Sequence, residues 1–173
     1  MNTSQKLLLA GVDAAGLASV ASSAFAQASA TTSATASVTI FQPITISKTA
    51  DLTFGRVIRP STGTTIYTIA ASDGTPSTSG GDGIFTTGGG STGRAVFTVH
   101  GEGAQVFAIG GDTTVTTGGV TINLVPSAAS GTLDGTLGSA GTTTFGVGGN
   151  VTLTNASSTG IKSGSFNVTV TYN

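Results

Sequence analysis

The chain has 173 residues and no cysteine, enough for one domain with a genuine core but with no disulfide staple and no thiolate metal site. Only 8% of its residues are charged and the net charge is −1, which excludes the basic field a nucleic-acid binder needs. Lys and Glu, good helix formers that clothe helix surfaces, are scarce, while Thr, Val and Ile are abundant, as strands prefer.

The first stretch has the layout of an export signal. Lys6 supplies a positive start, an apolar run begins at Leu7, and Ala24-Phe25-Ala26 offers the small-x-small pattern of a cleavage site. Residues 1–26 are therefore expected to be a signal peptide, leaving a mature domain of residues 27–173. No second apolar stretch of spanning length follows, so no transmembrane segment is expected in the mature chain. The periplasm, the cell surface and the extracellular space are the compartments this implies.

An alternation runs over residues 34–46, with Ala34, Ala36, Val38, Ile40, Ile44 and Ile46 on one parity and Thr or Ser largely on the other. Gln42-Pro43 interrupts it, because proline cannot donate to a ladder. Lys48 and Asp51 are placed to pair across a turn, and Leu52-Thr53-Phe54-Gly55 reads as a short strand. Residues 64–70 predict a strand buried on both sides, with Ile66 on one face and Tyr67 and Ile69 on the other. Residues 73–83 read as a loop.

Arg94 to His100 predicts a strand with Ala95, Phe97 and Val99 inward, and Gly101-Glu102-Gly103 predicts a hairpin into residues 104–109. Residues 113–117 and 120–125 pair around Gly118-Gly119. A weaker stretch holds Leu133, Leu137, Phe145 and Val147, and Gly148-Gly149-Asn150 predicts a turn into residues 151–154. The cleanest period-two run closes the chain. Phe166, Val168, Val170 and Tyr172 share one face there, and Ser165, Asn167, Thr169 and Thr171 share the other. About eight to ten short strands separated by turn signals predict an all-β fold, a single antiparallel β-sandwich of immunoglobulin-like or jelly-roll type.

Little in the chain carries chemistry. Gly88-Gly89-Gly90-Ser91-Thr92-Gly93 has the letters of a dinucleotide motif, but a strand follows it and no helix offers an N-terminus to phosphate. His100 is the only histidine and sits on the outward parity of its strand. Asp73-Gly74, Asp82-Gly83, Asp112 and Asp134-Gly135 are isolated, one per loop, which suits tight turns better than the clustered oxygens calcium needs. No catalytic residue, metal ligand, cofactor or small-molecule substrate is assigned.

Two segments carry a resemblance. Ile46-Ser47-Lys48-Thr49-Ala50-Asp51-Leu52-Thr53-Phe54-Gly55 and the closing residues 164–173 resemble the ends of domain of unknown function 4402, a family of exported bacterial proteins of about this length with no established activity. The closing strand, with an aromatic at its penultimate position as Tyr172 is here, is more loosely similar to pilins of the chaperone–usher class and to spore-coat U domains. That likeness implies a structural subunit that assembles by strand pairing, itself or with a periplasmic chaperone and usher as partner. Ala34, Ala36, Val38 and Ile40 would be the donor residues, and Phe166, Val168, Val170 and Tyr172 the strand that receives or is read. Pairing within one chain avoids the association entropy of a second copy and is the default expectation; pairing between copies is the other. A surface binding module using the Gly/Asp loops for a carbohydrate or protein ligand is the competing expectation, and an enzyme is not expected.

Overall fold

The computed structural model describes residues 29–86 and 88–173, so the expected signal peptide lies outside the described residues. The chain divides after Val38. Residues 29–38 contain no strand or helix and are exposed throughout. Residues 39–173 form the second unit, which is all-β and antiparallel, with no helix among the described residues.

Its strands are β1 (Thr45–Ala50), β2 (Thr53–Phe54), β3 (Val57–Ile58), β4 (Thr64–Ile69), β5 (Pro76–Gly80), β6 (Ile84–Phe85) and β7 (Thr92–Gly93). There follow β8 (Ala95–Glu102), β9 (Val106–Gly111), β10 (Thr114–Thr117), β11 (Val120–Pro126), β12 (Ser130–Thr132), β13 (Ala140–Thr154) and β14 (Val168–Tyr172). The larger sheet has the order β1-β8-β13-β11-β10, with β4 also on β13 and β5 on β4. The smaller has the order β12-β9-β14, and two-residue ladders join β2 to β7 and β3 to β6.

Alternation decides which side chains enter the space between the sheets. Ala95, Phe97 and Val99 on β8, Phe145 and Val147 on β13 and Leu124 on β11 face Phe107 on β9, Val170 on β14 and Leu133 just after β12 in one buried cluster. Phe97 and Phe145 are direct cross-strand partners whose rings stack at 5.5 Å, an arrangement that adds to what their burial contributes. These two layers are the sandwich.

Strand β13 organises the larger sheet. At 15 residues it is more than twice the usual strand length. One edge pairs with β8 as far as Val147 opposite Ala95, then with β4 from Gly149 opposite Ile69. The other edge pairs with β11 through residues 147–151. Its inward residues feed two cores in succession. Phe145 and Val147 belong to the sandwich core, whereas Val151 and Leu153 join Tyr67 and Val120 in a second cluster, covered by Phe54, Val57 and Phe85 from the short ladders. Tyr67 is fully buried, packs edge-on against Phe85 at 5.4 Å, and donates its hydroxyl to the Ile58 carbonyl at 2.5 Å.

Several expectations are corrected by this arrangement. The turn expected at Gly148-Gly149-Asn150 is continuous strand. A Cβ at Gly148 would collide with the Ile69 carbonyl and the Ala71 amide, so the glycine admits a close backbone rather than turning the chain. The hairpin expected around Gly101-Glu102-Gly103 is a crossing between layers: β8 pairs in the larger sheet and β9 in the smaller. Ala104, at φ 60°, makes the sharp bend. The loop expected over residues 73–83 contains β5, an edge strand led by Pro76, whose missing N–H suits that position. On β4 only one face is buried, with Thr65, Tyr67 and Ile69 inside and Ile66 38% exposed. The strand expected from Ala34 begins instead at Thr45, after Pro43. The hairpin around Gly118-Gly119 forms as expected, both glycines at positive φ as a tight two-residue turn requires.

Candidate functional site

The closing strand is built as its alternation predicts. Val170 is buried, and Phe166, Val168 and Tyr172 are half-buried against the sandwich core, with the Phe166 ring edge-on to Phe97 at 6.4 Å. Only residues 168–172 pair as strand; Phe166 lies just ahead of it. β14 pairs with β9 from Val168 opposite Gly111 to Tyr172 opposite Phe107. Asn167 and Asn173 direct backbone groups toward β9 and its flanks: Asp112 N–H donates to the Asn167 carbonyl and Asn173 N–H to the Val106 carbonyl. Backbone direction alternates along a strand, so Val168, Val170 and Tyr172 aim their N–H and C=O groups at the opposite edge. No strand among the described residues pairs there.

The other predicted residues are Ala34, Ala36, Val38 and Ile40. All four are exposed, Val38 by 82% and Ile40 by 81%, and none is in a strand. The structure therefore brings Phe166, Val168, Val170 and Tyr172 together on one face and leaves the alternating segment without a ladder of its own.

Composition alone did not reveal how the start of the folded unit is fastened. Tyr172 donates its hydroxyl to the Gln42 carbonyl at 2.9 Å and accepts from the Glu102 N–H at 2.6 Å. The Glu102 carboxyl group, 1% exposed, accepts from the Gln42 N–H at 3.1 Å and from the Gly138 N–H. Phe41 packs edge-on against the Tyr172 ring at 5.9 Å. Four segments meet in this polar knot, which fixes residues 41–42 at the far end of β14. The signal in the sequence was that Glu102 is the chain's one glutamate, set between two glycines in a chain poor in charge.

A cavity of about 230 Å³ opens near the other end of β14, at Phe166. Ala95 and Phe97 line it with Leu52 and Phe166, and Lys48 and Asp51 stand at its rim. Those two form the ion pair expected across their turn, at 2.5 Å and well exposed, a geometry worth about 0–1 kcal/mol.

The remaining polar candidates serve their own loops. Asp73 accepts from the Thr75 N–H, a bond that holds its carboxyl below the ordinary value. Asp82 is lowered chiefly by the Ser61 hydroxyl and then by the Ser61 N–H. Asp112 holds Asn167, and Asp134 accepts from the Thr142 N–H at 2.5 Å. Burial, and then the nearby Asp82 carboxylate, raise the Tyr67 phenol above its ordinary 10.0. His100 is exposed on β8. Among the described residues no three acidic or histidine side chains cluster as a metal site would need, and no helix is long and apolar enough to cross a membrane.

The family model described as Domain of unknown function (DUF4402) matches residues 44–172. The chain belongs to that family. The match begins one residue before β1 and ends on Tyr172, so the DUF4402 domain coincides with the paired strands and leaves the alternating residues 34–40 outside it. No curated protein and no solved structure matches the chain.

Proposed function

We propose that this DUF4402 protein is a structural subunit of the bacterial surface or extracellular space, exported by its N-terminal signal and assembled by β-strand pairing between copies. The supporting observation is the exposure of Val38 and Ile40, 82% and 81%, in an alternating segment that has no strand partner among the described residues. An apolar face of this kind gains roughly 1.5–3 kcal/mol per large side chain when a partner buries it. Extended segments that add to a sheet edge draw affinity from main-chain hydrogen bonds and selectivity from alternate side chains. The pilin likeness of the closing strand points the same way. The competing reading, a binding module built on the Gly/Asp loops, draws no support from Asp73, Asp82 and Asp112, whose carboxylates are engaged by their own neighbourhoods.

Full-length protein purified from the exported fraction is expected to form heat-resistant oligomers or filaments by electron microscopy and gel filtration. Removing residues 27–39 abolishes them, and Val38→Asp with Ile40→Asp does the same. A monodisperse monomer across protein concentration and salt overturns the assembly reading.

A further inference from the structure

We infer that the outer face of the larger sheet, around Asn150 on β13, is a binding surface for a single chain of neutral polysaccharide. The face lies away from the segments used in the assembly reading, so the two stand or fall separately.

Register assembles the face. Direct partners in an antiparallel sheet point to the same side. Ser77, Thr68, Asn150, Asn123 and Thr114 are successive partners across β5, β4, β13, β11 and β10. At the usual strand spacing this row runs about 19 Å. Two residues further along each strand a second row repeats it, with Ser79, Ile66 and Thr152 as successive partners and Thr121 opposite Thr116. The other parity of these strands carries buried Tyr67, Val151 and Val115, so both rows look outward. Asn123 donates its side-chain amide to the Asn150 side-chain carbonyl at 3.0 Å, and the Thr116 and Thr121 hydroxyls lie 3.0 Å apart. These bonds hold the side chains before any ligand arrives, which lowers the entropy cost of binding.

What the face lacks selects its partner. Neither row carries a charge, which removes nucleic acids, whose binding rests on cations, and gives an acidic polymer nothing to pair with. Ile66, 38% exposed, is the one large apolar side chain in the two rows, too little for the apolar centre of a protein interface. Sheet twist rotates successive strands by about 20–25°, so the rows suit a chain that can twist with them better than a flat crystal surface. A neutral sugar polymer matches what remains. Its hydroxyls both donate and accept, as Thr and Ser hydroxyls and Asn amides do. The interstrand repeat is comparable to one pyranose residue of an extended chain, and Ile66 with the threonine methyls offers contact for the C–H faces of the sugar. Each contact is weak, and a polymer makes many of them at once.

Full-length protein is run in native gels cast with hydroxyethylcellulose, with galactomannan, with alginate or with no polymer. The two neutral polymers should retard it and the acidic alginate should not. Asn123→Asp with Thr152→Asp sets two carboxylates in the rows and removes their hydrogen bonds to sugar, which should weaken binding at least about tenfold. Ser47→Asp with Thr142→Asp adds the same charge on β1 and the first half of β13, outside the rows, and should bind as the parent does. Ile66→Ser adds no charge and should weaken binding by a smaller factor; it decides the outcome if the aspartate pair at 123 and 152 fails to fold by circular dichroism. No retardation by either neutral polymer, stronger retardation by alginate, or binding unchanged by these substitutions overturns the polysaccharide site. Sedimentation showing that the parent self-associates through this face, and that Asn123→Asp with Thr152→Asp dissociates it while no polymer binds, assigns the face to a second copy and overturns it equally.

Discussion

Glu102 and Tyr172 hold together what the chain separates by up to 130 residues. Replacing Glu102 by alanine leaves the Gln42 and Gly138 amides without their acceptor, but both residues are exposed and open to water, so each lost hydrogen bond is worth about 1 kcal/mol. Glu102→Ala is therefore expected to lower the unfolding free energy by about 2 kcal/mol, and Tyr172→Phe, which strips the acceptor from the amide of buried Glu102, by about 1–2 kcal/mol. Because both fasten Gln42, the double variant should lose less than the sum. Urea unfolding of the three variants checks this; full additivity would separate the two groups energetically and contradict a shared knot. Of these two residues only Tyr172 was legible in the sequence, through alternation. Glu102 was not, because the satisfaction of a buried carboxyl group depends on Gln42 and Gly138, residues that nothing in local sequence connects to it.

At the scale of elements, strands with clean period two were legible and the glycine-rich ones were not. Gly118-Gly119 and Gly148-Gly149 look alike in sequence, yet the first pair turns the chain and the second lies inside β13. What separates them is the backbone that approaches. At Gly148 the end of β4 abuts β8, and Arg94 crosses the junction to donate to the Ala71 carbonyl at 2.6 Å and to the Ser72 carbonyl. Gly148→Ala is expected to destabilise by about 2 kcal/mol or more, as overpacking does. Gly110→Ala, where a Cβ meets nothing within 4 Å, should cost little or stabilise through the unfolded chain. Thermal midpoints of the two variants test the contrast, and equal losses would refute the role assigned to Gly148.

For the whole molecule, the sandwich class was readable from composition and alternation, but the pairing of β13 with three strands was not, because register between distant segments leaves no local mark. The small number of ionisable groups, six Lys and Arg, seven Asp and Glu and one His, predicts stability nearly flat across neutral pH. The acid limb is set by carboxyls such as Asp73 and Asp82, which hydrogen bonds hold below the ordinary value of 3.8. A lowered folded value contributes stability that is present above 3.8 and lost as pH falls through the folded value. Ser61→Ala removes the main cause at Asp82, so stability should fall at neutral pH and change little at the low-pH end, which makes the acid decline shallower. Thermal midpoints from pH 7 down to about 2 decide it; an unchanged acid limb would exclude Asp82 as a contributor.

The long strand also governs time. Its pairings join Thr64 to Thr154 and Glu102 to Ala140, so β4, β8 and β11 lack their shared neighbour until residues 140–154 have been made. Loops of that length must close before any contact rewards them, which places such topologies among slow folders, in the millisecond-to-second range. An emerging chain of this kind cannot complete its larger sheet until most of it is synthesised, so its commitment to structure comes late in translation.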